Sequence, residues 1–412
     1  MAENEQGESF VIVGASLAGA KTATALRDEG FDGRIVLIGD EAEKPYERPP
    51  LSKDYLQGKS KKDEIYVHPD DWYPSHDVEL ILETRVTDAD ASGHEIALSD
   101  GQRLRYTKLV LATGSSPRRV SVPGADLDGV LYLRRVEDSE RIRETLGSAS
   151  RIAVIGGGWI GLEVTAAARL AGVEVTLIEQ AKLPLLRVLG PEVAEIFADL
   201  HRGHGVDLRF DEHLEEITGD GGRVRGVRLS GGEVDAEAVV VGVGIAPNTA
   251  LAEAAGLGVD DGVVVDEYLR SSDPDMYAVG DVASAFHPLF GRHIRVEHWA
   301  NAVNQPKYAA KTMVGRDAAY DRVPYFFTDQ YDLGMEYSGY VEPGGYDQVL
   351  FRGERNGDEF IAFWLKDGRV LAGMNVNVWD VTDPIQALIR SRQPVDLEKL
   401  TDVDVPLTDV SR

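Results

Sequence analysis

Between Arg151 and Glu179 the chain reads RIAVIGGGWIGLEVTAAARLAGVEVTLIE, a stretch whose residue types and spacing suit the binding of a nucleotide diphosphate. An apolar run of strand length, Ile152 to Ile155, leads directly into Gly156-Gly157-Gly158-Trp159-Ile160-Gly161. The first glycine of the G-x-G-x-x-G pattern allows a tight turn, and the second admits backbone to a pyrophosphate. The third lets the following helix pack close to the strand. That helix begins with free N–H groups and a partial positive charge, which attract phosphate. Helical spacing runs to Leu170, Gly172 stops it, and a second strand from Val173 to Ile178 ends at Glu179. A carboxylate at that place accepts hydrogen bonds from the ribose hydroxyl pair.

Phe10 to Gly19, FVIVGASLAG, has the same form, with Gly14, Ala15, Ser16 and Gly19 in the turn. Ser16 stands where the middle glycine belongs; it is small and can donate a hydrogen bond, so close approach remains open. A helix is expected to about Glu29, then a strand from Arg34 to Ile38 closing on Gly39-Asp40-Glu41. Asp40 is the preferred ribose acceptor and Glu41 the alternate. The chain has no cysteine. Disulfides, thiolate metal sites, protein-ligated iron–sulfur clusters and dithiol relays are thereby excluded. Redox chemistry must run through bound organic cofactors, and two fingerprints point to two dinucleotides, a flavin and a nicotinamide. The competing reading is a duplicated fold in which one half has lost its ligand.

The elements that must position these turns can be followed along the chain. In Pro45 to Lys53, PYERPPLSK, the prolines predict an extended, stiff loop carrying Arg48 and Lys53. From Val78 to Thr113 the pattern alternates as in a β meander, with a hairpin turn at Ser99-Asp100-Gly101. ALSDGQRLRYTKLVLATG, Ala97 to Gly114, lines up with RLSGGEVDAEAVVVGVG, Arg228 to Gly244. The chain thus holds two related halves, each returning to a glycine where backbone can lie against a cofactor. MYAVGD ends in Gly280-Asp281, whose carboxylate suits a ribityl hydroxyl, although Gly-Asp is an ordinary turn in most proteins. Trp299 in VEHWANA reads by default as core. Arg292, Arg295, Lys307, Lys311, Arg316 and Arg322 form the densest basic region, with Lys307 and Lys311 one helical turn apart. From Pro324 onward, aromatic alternating stretches predict four or five antiparallel strands, then a helix from Pro384 to about Arg390.

The fold expected is α/β: two Rossmann-like dinucleotide-binding domains in a glutathione-reductase-like arrangement, plus a C-terminal α+β domain. The boundaries expected are 1–115 with 245–322 for FAD, 116–244 for NADH, and 323–412 for a C-terminal interface domain. A net charge of −27 disfavours nucleic acid and anionic membranes as partners. No apolar run reaches membrane-spanning length, and the opening residues Met1 to Ser9 are acidic and polar, so a cytoplasmic location is the default. No metal site is expected.

Several segments carry a resemblance: GASLAGA, YERPPLSKDYL, LVLATGSSPR, VIGGGWIGLEVTAAA, LPLLRVLGPEV, GVGIAPNT, YAVGDVA, EHWANAVNQ and FFTDQYDLGMEYSGY. Together they resemble the NADH-dependent, FAD-containing ferredoxin reductases of oxygenase systems, the putidaredoxin, rubredoxin and biphenyl dioxygenase reductase type. The resemblance implies FAD contacts at Ala15, Asp40, Arg48, Lys53, Val86, Thr113, Gly114, Arg134, Asp281 and Trp299. It implies NADH contacts at Gly156 to Gly161, Glu179, Arg187 and the Gly242-Val243-Gly244 turn. Glu163 would face the nicotinamide carboxamide and pair with Lys53 near flavin N5, where a cation stabilises the reduced flavin. The implied acceptor is a small acidic iron–sulfur ferredoxin, docking near Arg292, Arg295, Lys307, Lys311 and Arg316. Phe327 stands where the family often has Trp, which implies a smaller stacking face. An NADH oxidase, a monodehydroascorbate or rubredoxin reductase, an NADH-sensing signalling flavoprotein and a cofactor-free scaffold are the alternatives.

Overall fold

Unbroken apolar runs, not alternating ones, form the central strands, as expected of parallel strands buried on both faces. The computed structural model describes residues 7–355 and 357–411; residues 1–6, most of the acidic opening stretch, lie outside them. Two units emerge from the packing. The first holds the chain up to Arg48, Lys62–Ser116 and Ala246–Pro324; the second holds Pro49–Lys61, Pro117–Ile245 and the chain from Tyr325 onward.

In the first unit, five parallel strands run in the order Met276–Ala278, Lys108–Leu111, Ser9–Val13, Arg34–Ile38 and Val78–Ile81. The fingerprint strand Ser9–Val13 is central, and Phe10, Val11 and Ile12 are fully buried. Helix Leu17–Asp28 follows the turn and packs beside helix Trp299–Met313. Val78–Ile81 pairs parallel to Arg34–Ile38. It is therefore the edge of the nucleotide sheet and not the start of the meander. The meander itself is confined to Val86–Asp90, Glu95–Leu98 and Arg103–Arg105. Local alternation could not separate the two, because an edge strand is also half exposed.

The second unit repeats the plan. Its parallel sheet runs Asp207–Phe210, Glu174–Glu179, Arg151–Ile155, Ala238–Val241 and Val130–Leu131, with helix Trp159–Leu170 after the turn. Residues 325–411 add five antiparallel strands in the order Tyr325–Gln330, Leu333–Gly339, Arg369–Val376, Phe360–Lys366 and Gln348–Gly353, then helix Thr382–Ser391. This sheet shares a core with the nucleotide-type fold of its own unit: Trp364, fully buried, donates its indole N–H to the Leu189 carbonyl at 3.0 Å. Pro49–Ser52 is a short 3-10 helix where an extended loop was expected. Proline fixes φ near −65°, which a 3-10 turn accepts as readily as an extended chain does. Among the described residues, no helix is long and apolar enough to cross a membrane.

Candidate functional site

Both glycine turns are built to one steric plan. Gly14 has φ +117°, and a Cβ there would stand 2.1 Å from the Ala112 carbonyl oxygen; Gly156 has φ +104°, and its Cβ would stand 2.3 Å from that of Gly242. A Cβ on Gly19 or Gly161 would lie 2.0 Å from the carbonyl oxygen of Gly14 or Gly156. Any side chain at these four positions forces helix and strand apart. The middle position differs: a Cβ on Gly158 meets no protein atom within 4 Å, and its φ of −82° suits any residue. The protein's own packing does not require glycine at Gly158, and the open space fits an approaching diphosphate. Ser16 holds the equivalent place in the first turn and makes no side-chain cap to its helix, which leaves its hydroxyl for a ligand.

The return strands bring further predicted residues to each turn. In the first unit Val13 pairs with Leu111, which sets Thr113 and Gly114 beside Gly14 and Ala15. Thr113 is locked to Asn248 by two hydrogen bonds of 2.8 Å, and Gly114 takes φ +63°. Ser115 donates to Asp281 Oδ2 at 2.9 Å, and Gly280, at φ +77°, donates its N–H to Gln305 Oε1 at 2.7 Å. Arg48 reaches Glu41 at 2.8 Å and the Tyr46 hydroxyl at 3.0 Å, whereas Asp40 is exposed and meets Arg85 at 3.1 Å. The two candidate ribose acids thus differ: Asp40 faces outward and Glu41 anchors Arg48. Val86 is buried at the head of its strand. Trp299 is half-buried and donates its indole N–H to Glu47 at 3.2 Å, so it is not the core residue its type suggests. His298, which precedes it, is half-buried, and desolvation pushes its imidazole down to about 4 despite the opposing pull of Asp281.

In the second unit Ile155 pairs with Val241, which places Gly242 against the Gly156 turn. Glu179 accepts the Gly157 N–H at 2.7 Å on one oxygen and the Ala181 N–H at 2.8 Å on the other. Each oxygen keeps a lone pair for a further donor. Ile160 is 43 % exposed beside the open turn. Gly244, at φ +95°, and Arg187 are both exposed, and Arg134 donates its backbone N–H to Asp138 at 2.9 Å.

Lys53 and Glu163, chosen from resemblance alone, are in contact: the ammonium lies 2.5 Å from Glu163 Oε1. Glu163 is 5 % exposed, on the first turns of helix Trp159–Leu170. Three donors converge on it, because Ser52 donates to its other oxygen and Thr328 donates to Oε1 at 2.6 Å. Breaking such a buried pair leaves an uncompensated charge, which is costly. The Lys53 ammonium also lies 5.7 Å from the centre of the Phe327 ring. Ser52 and Thr328 were not singled out from sequence; both lie in segments quoted for their resemblance, but nothing in their types marked them as partners of a carboxylate. The basic region is narrower than its sequence suggests. Arg295 is held by Asp261 at 3.1 Å and Glu297 at 2.6 Å with its side chain 8 % exposed, and Arg316 pairs with Glu29 at 3.0 Å. Lys307 and Lys311 stay exposed on helix Trp299–Met313.

Comparison with known proteins agrees with this construction. Residues 8–306 match the family described as pyridine nucleotide-disulphide oxidoreductase, and residues 325–411 match the one described as reductase C-terminal. Putidaredoxin reductase of Pseudomonas putida is 38% identical, with 98% of this chain and 96% of the relative covered. The ferredoxin–NAD(+) reductase component of an anthranilate 1,2-dioxygenase system from Burkholderia cepacia is 41% identical, with 97% and 98% covered. A crystal structure of the covalent putidaredoxin reductase–putidaredoxin complex superposes with a TM-score of 0.94 at 38% identity, covering 98% of each chain. Two glycine turns of one steric design, and a sequence match that runs through the C-terminal sheet, lead to one conclusion: the chain belongs to the pyridine nucleotide-disulphide oxidoreductase family, in the group that carries a reductase C-terminal domain.

Proposed function

We propose that this chain is an NADH-dependent, FAD-containing reductase that passes electrons to an iron–sulfur ferredoxin of an oxygenase system. The observation that carries this reading is a pair of diphosphate-ready turns in a chain without cysteine. A dithiol reductase of this family would need a sulfur pair, and there is none to serve. Relatives named for putidaredoxin and for a dioxygenase system's ferredoxin support the acceptor class. The balance is one NADH and two oxidised ferredoxins to NAD⁺, one proton and two reduced ferredoxins. Bound FAD supplies the conversion from an electron pair to single electrons.

The residues of this chain bind and orient. Gly14, Ala15, Ser16 and Gly19 would take the FAD diphosphate, with Asp40 at the ribose and Asp281 at the ribityl chain. Gly156 to Gly161 would take the diphosphate of NADH, and Glu179, steadied by two backbone N–H groups, would take its adenosine ribose. The Glu179 charge repels a 2′-phosphate, so NADH is favoured over NADPH. Lys53 would offer a positive charge to the reduced flavin. Glu163 would fix that ammonium and receive the carboxamide.

Anaerobic stopped-flow spectroscopy on the yellow holoenzyme tests this. NADH should bleach the flavin band promptly and NADPH far more slowly. Ferredoxin should then support cytochrome c reduction well above the rate of oxygen consumption. A colourless protein, or a flavin that NADH leaves oxidised, removes the assignment.

A further inference from the structure

Glu163 ends a longer line of hydrogen bonds. Thr328, on the strand Tyr325–Gln330, receives the Gln330 side-chain amide at 3.3 Å while donating to Glu163. The two residues are two apart on one strand, so they share a face. Gln330 Oε1 lies 2.8 Å from His201 Nε2, on helix Pro191–Gly203, and the Tyr331 hydroxyl lies 3.2 Å from His201 Nδ1. His201, Thr328 and Gln330 are all fully buried. Tyr331 is half-buried and stacks on the exposed His204 ring, with centroids 3.6 Å apart, so the line reaches the surface there.

Chemistry sets the direction of each bond. A carboxylate accepts, so Thr328 donates to it and takes the Gln330 N–H on its lone pair. The Gln330 oxygen then faces His201, whose proton must sit on Nε2, leaving Nδ1 to accept from Tyr331. The imidazole must be neutral for this, and burial pushes it down to about 4, outweighing the Gln330 contact. Burial likewise keeps the proton on Tyr331. Every donor points toward Glu163. An amide in the middle makes this a line that orients, because Gln330 cannot hand a proton on without changing tautomer.

We propose that His201 and Gln330 are positioning residues for the Lys53–Glu163 pair, acting through a one-way line from Tyr331 to His201, Gln330, Thr328 and Glu163 that sets the carboxylate's orientation and so the place of the ammonium. The proposal rests on the reading of that pair as part of the hydride-transfer site. A polar line through an apolar core is costly unless fully satisfied, and this one is satisfied at each joint. A role confined to stability would leave the chemistry of the folded holoenzyme untouched; a positioning role would not.

The test is single-turnover reduction of holoenzyme FAD by NADH, with flavin content and melting temperature measured alongside. His201→Leu and Gln330→Leu should each slow the limiting rate roughly tenfold, the scale expected of a small misplacement, with NADH affinity little changed. The double variant should be no slower than either single one, since both cut the same line. His201→Gln, whose amide N–H falls near Nε2, should recover most of the rate. Should His201→Leu not fold, Tyr331→Phe removes only the outermost donor: it should slow reduction about two- to threefold and shift the His201 ¹⁵N signals away from the Nε2–H tautomer. Wild-type rates in His201→Leu or in Tyr331→Phe, or multiplicative losses in the double variant, overturn the proposal. Full-speed reduction in Glu163→Gln would instead strike the underlying reading of the pair. A slow Glu163→Gln beside a fast His201→Leu defeats the line alone.

Discussion

Gly158 separates two reasons for a glycine. Gly156 and Gly161 are demanded by neighbouring carbonyl oxygens, but Gly158 faces open space. Alanine there should fold normally, because −82° is an ordinary φ and the methyl touches nothing. The same methyl would sit where a diphosphate must approach. Gly158→Ala should therefore keep its melting temperature within about a degree or two and lose about tenfold or more in NADH affinity. Calorimetric melting and NADH titration of the holoenzyme check both halves. An unchanged affinity would show that the space serves no phosphate. Legibility at this scale was high: the spacing alone identified the turn, and Glu179 closes on it through the Gly157 N–H. Asp40 and Glu41 were less legible, because adjacent acids on one loop point to different partners.

Helix Trp299–Met313 shows how an element filters a charge pattern. The sequence places six basic residues between Arg292 and Arg322, but folding engages Arg295 and Arg316 with carboxylates. Lys307 and Lys311, a turn apart, stay exposed on the helix. An acidic ferredoxin approaching this unit would feel those two. Reversing both, Lys307→Glu with Lys311→Glu, should raise the KM for ferredoxin about tenfold, mainly through slower encounter, with the effect shrinking as salt is added. Ferricyanide reduction should stay at the wild-type rate. Acceptor kinetics that do not move would place the dock elsewhere.

The whole molecule carries two imidazoles, one buried at His201 and one half-buried at His298, whose protonation opposes folding. Burial pushes His201 and His298 each down to about 4 from an ordinary 6.5. An unfolded chain would protonate both below 6.5, and the folded chain only near 4. Their contribution is therefore fully present above 6.5 and is lost as pH falls toward 4, at up to about 1.4 kcal/mol per pH unit for each histidine. Melting of the holoenzyme should be level above neutrality and fall by roughly 5 °C or more between pH 7 and pH 5. A flat profile over that interval would mean that these rings are already protonated in the folded state.

Local rules were enough for the two fingerprints and the antiparallel C-terminal sheet, which depend on neighbours a few residues away, while repetition along the chain showed the duplicated halves and composition alone ruled out a sulfur relay. The identity of the strand Val78–Ile81 was not local: its place as the fifth member of a parallel sheet comes from pairing with Arg34–Ile38. The surroundings of Glu163 were not local either. Ser52, Lys53, Thr328, Gln330 and His201 come from three separate stretches of chain, and they reach Glu163, directly or through the line, only when two helices, a 3-10 turn and a strand pack together. Spacing along the sequence encodes turns and faces. Which hydroxyl finds which carboxylate in a dry interior is decided by packing, where an unmet polar group is too costly to leave alone.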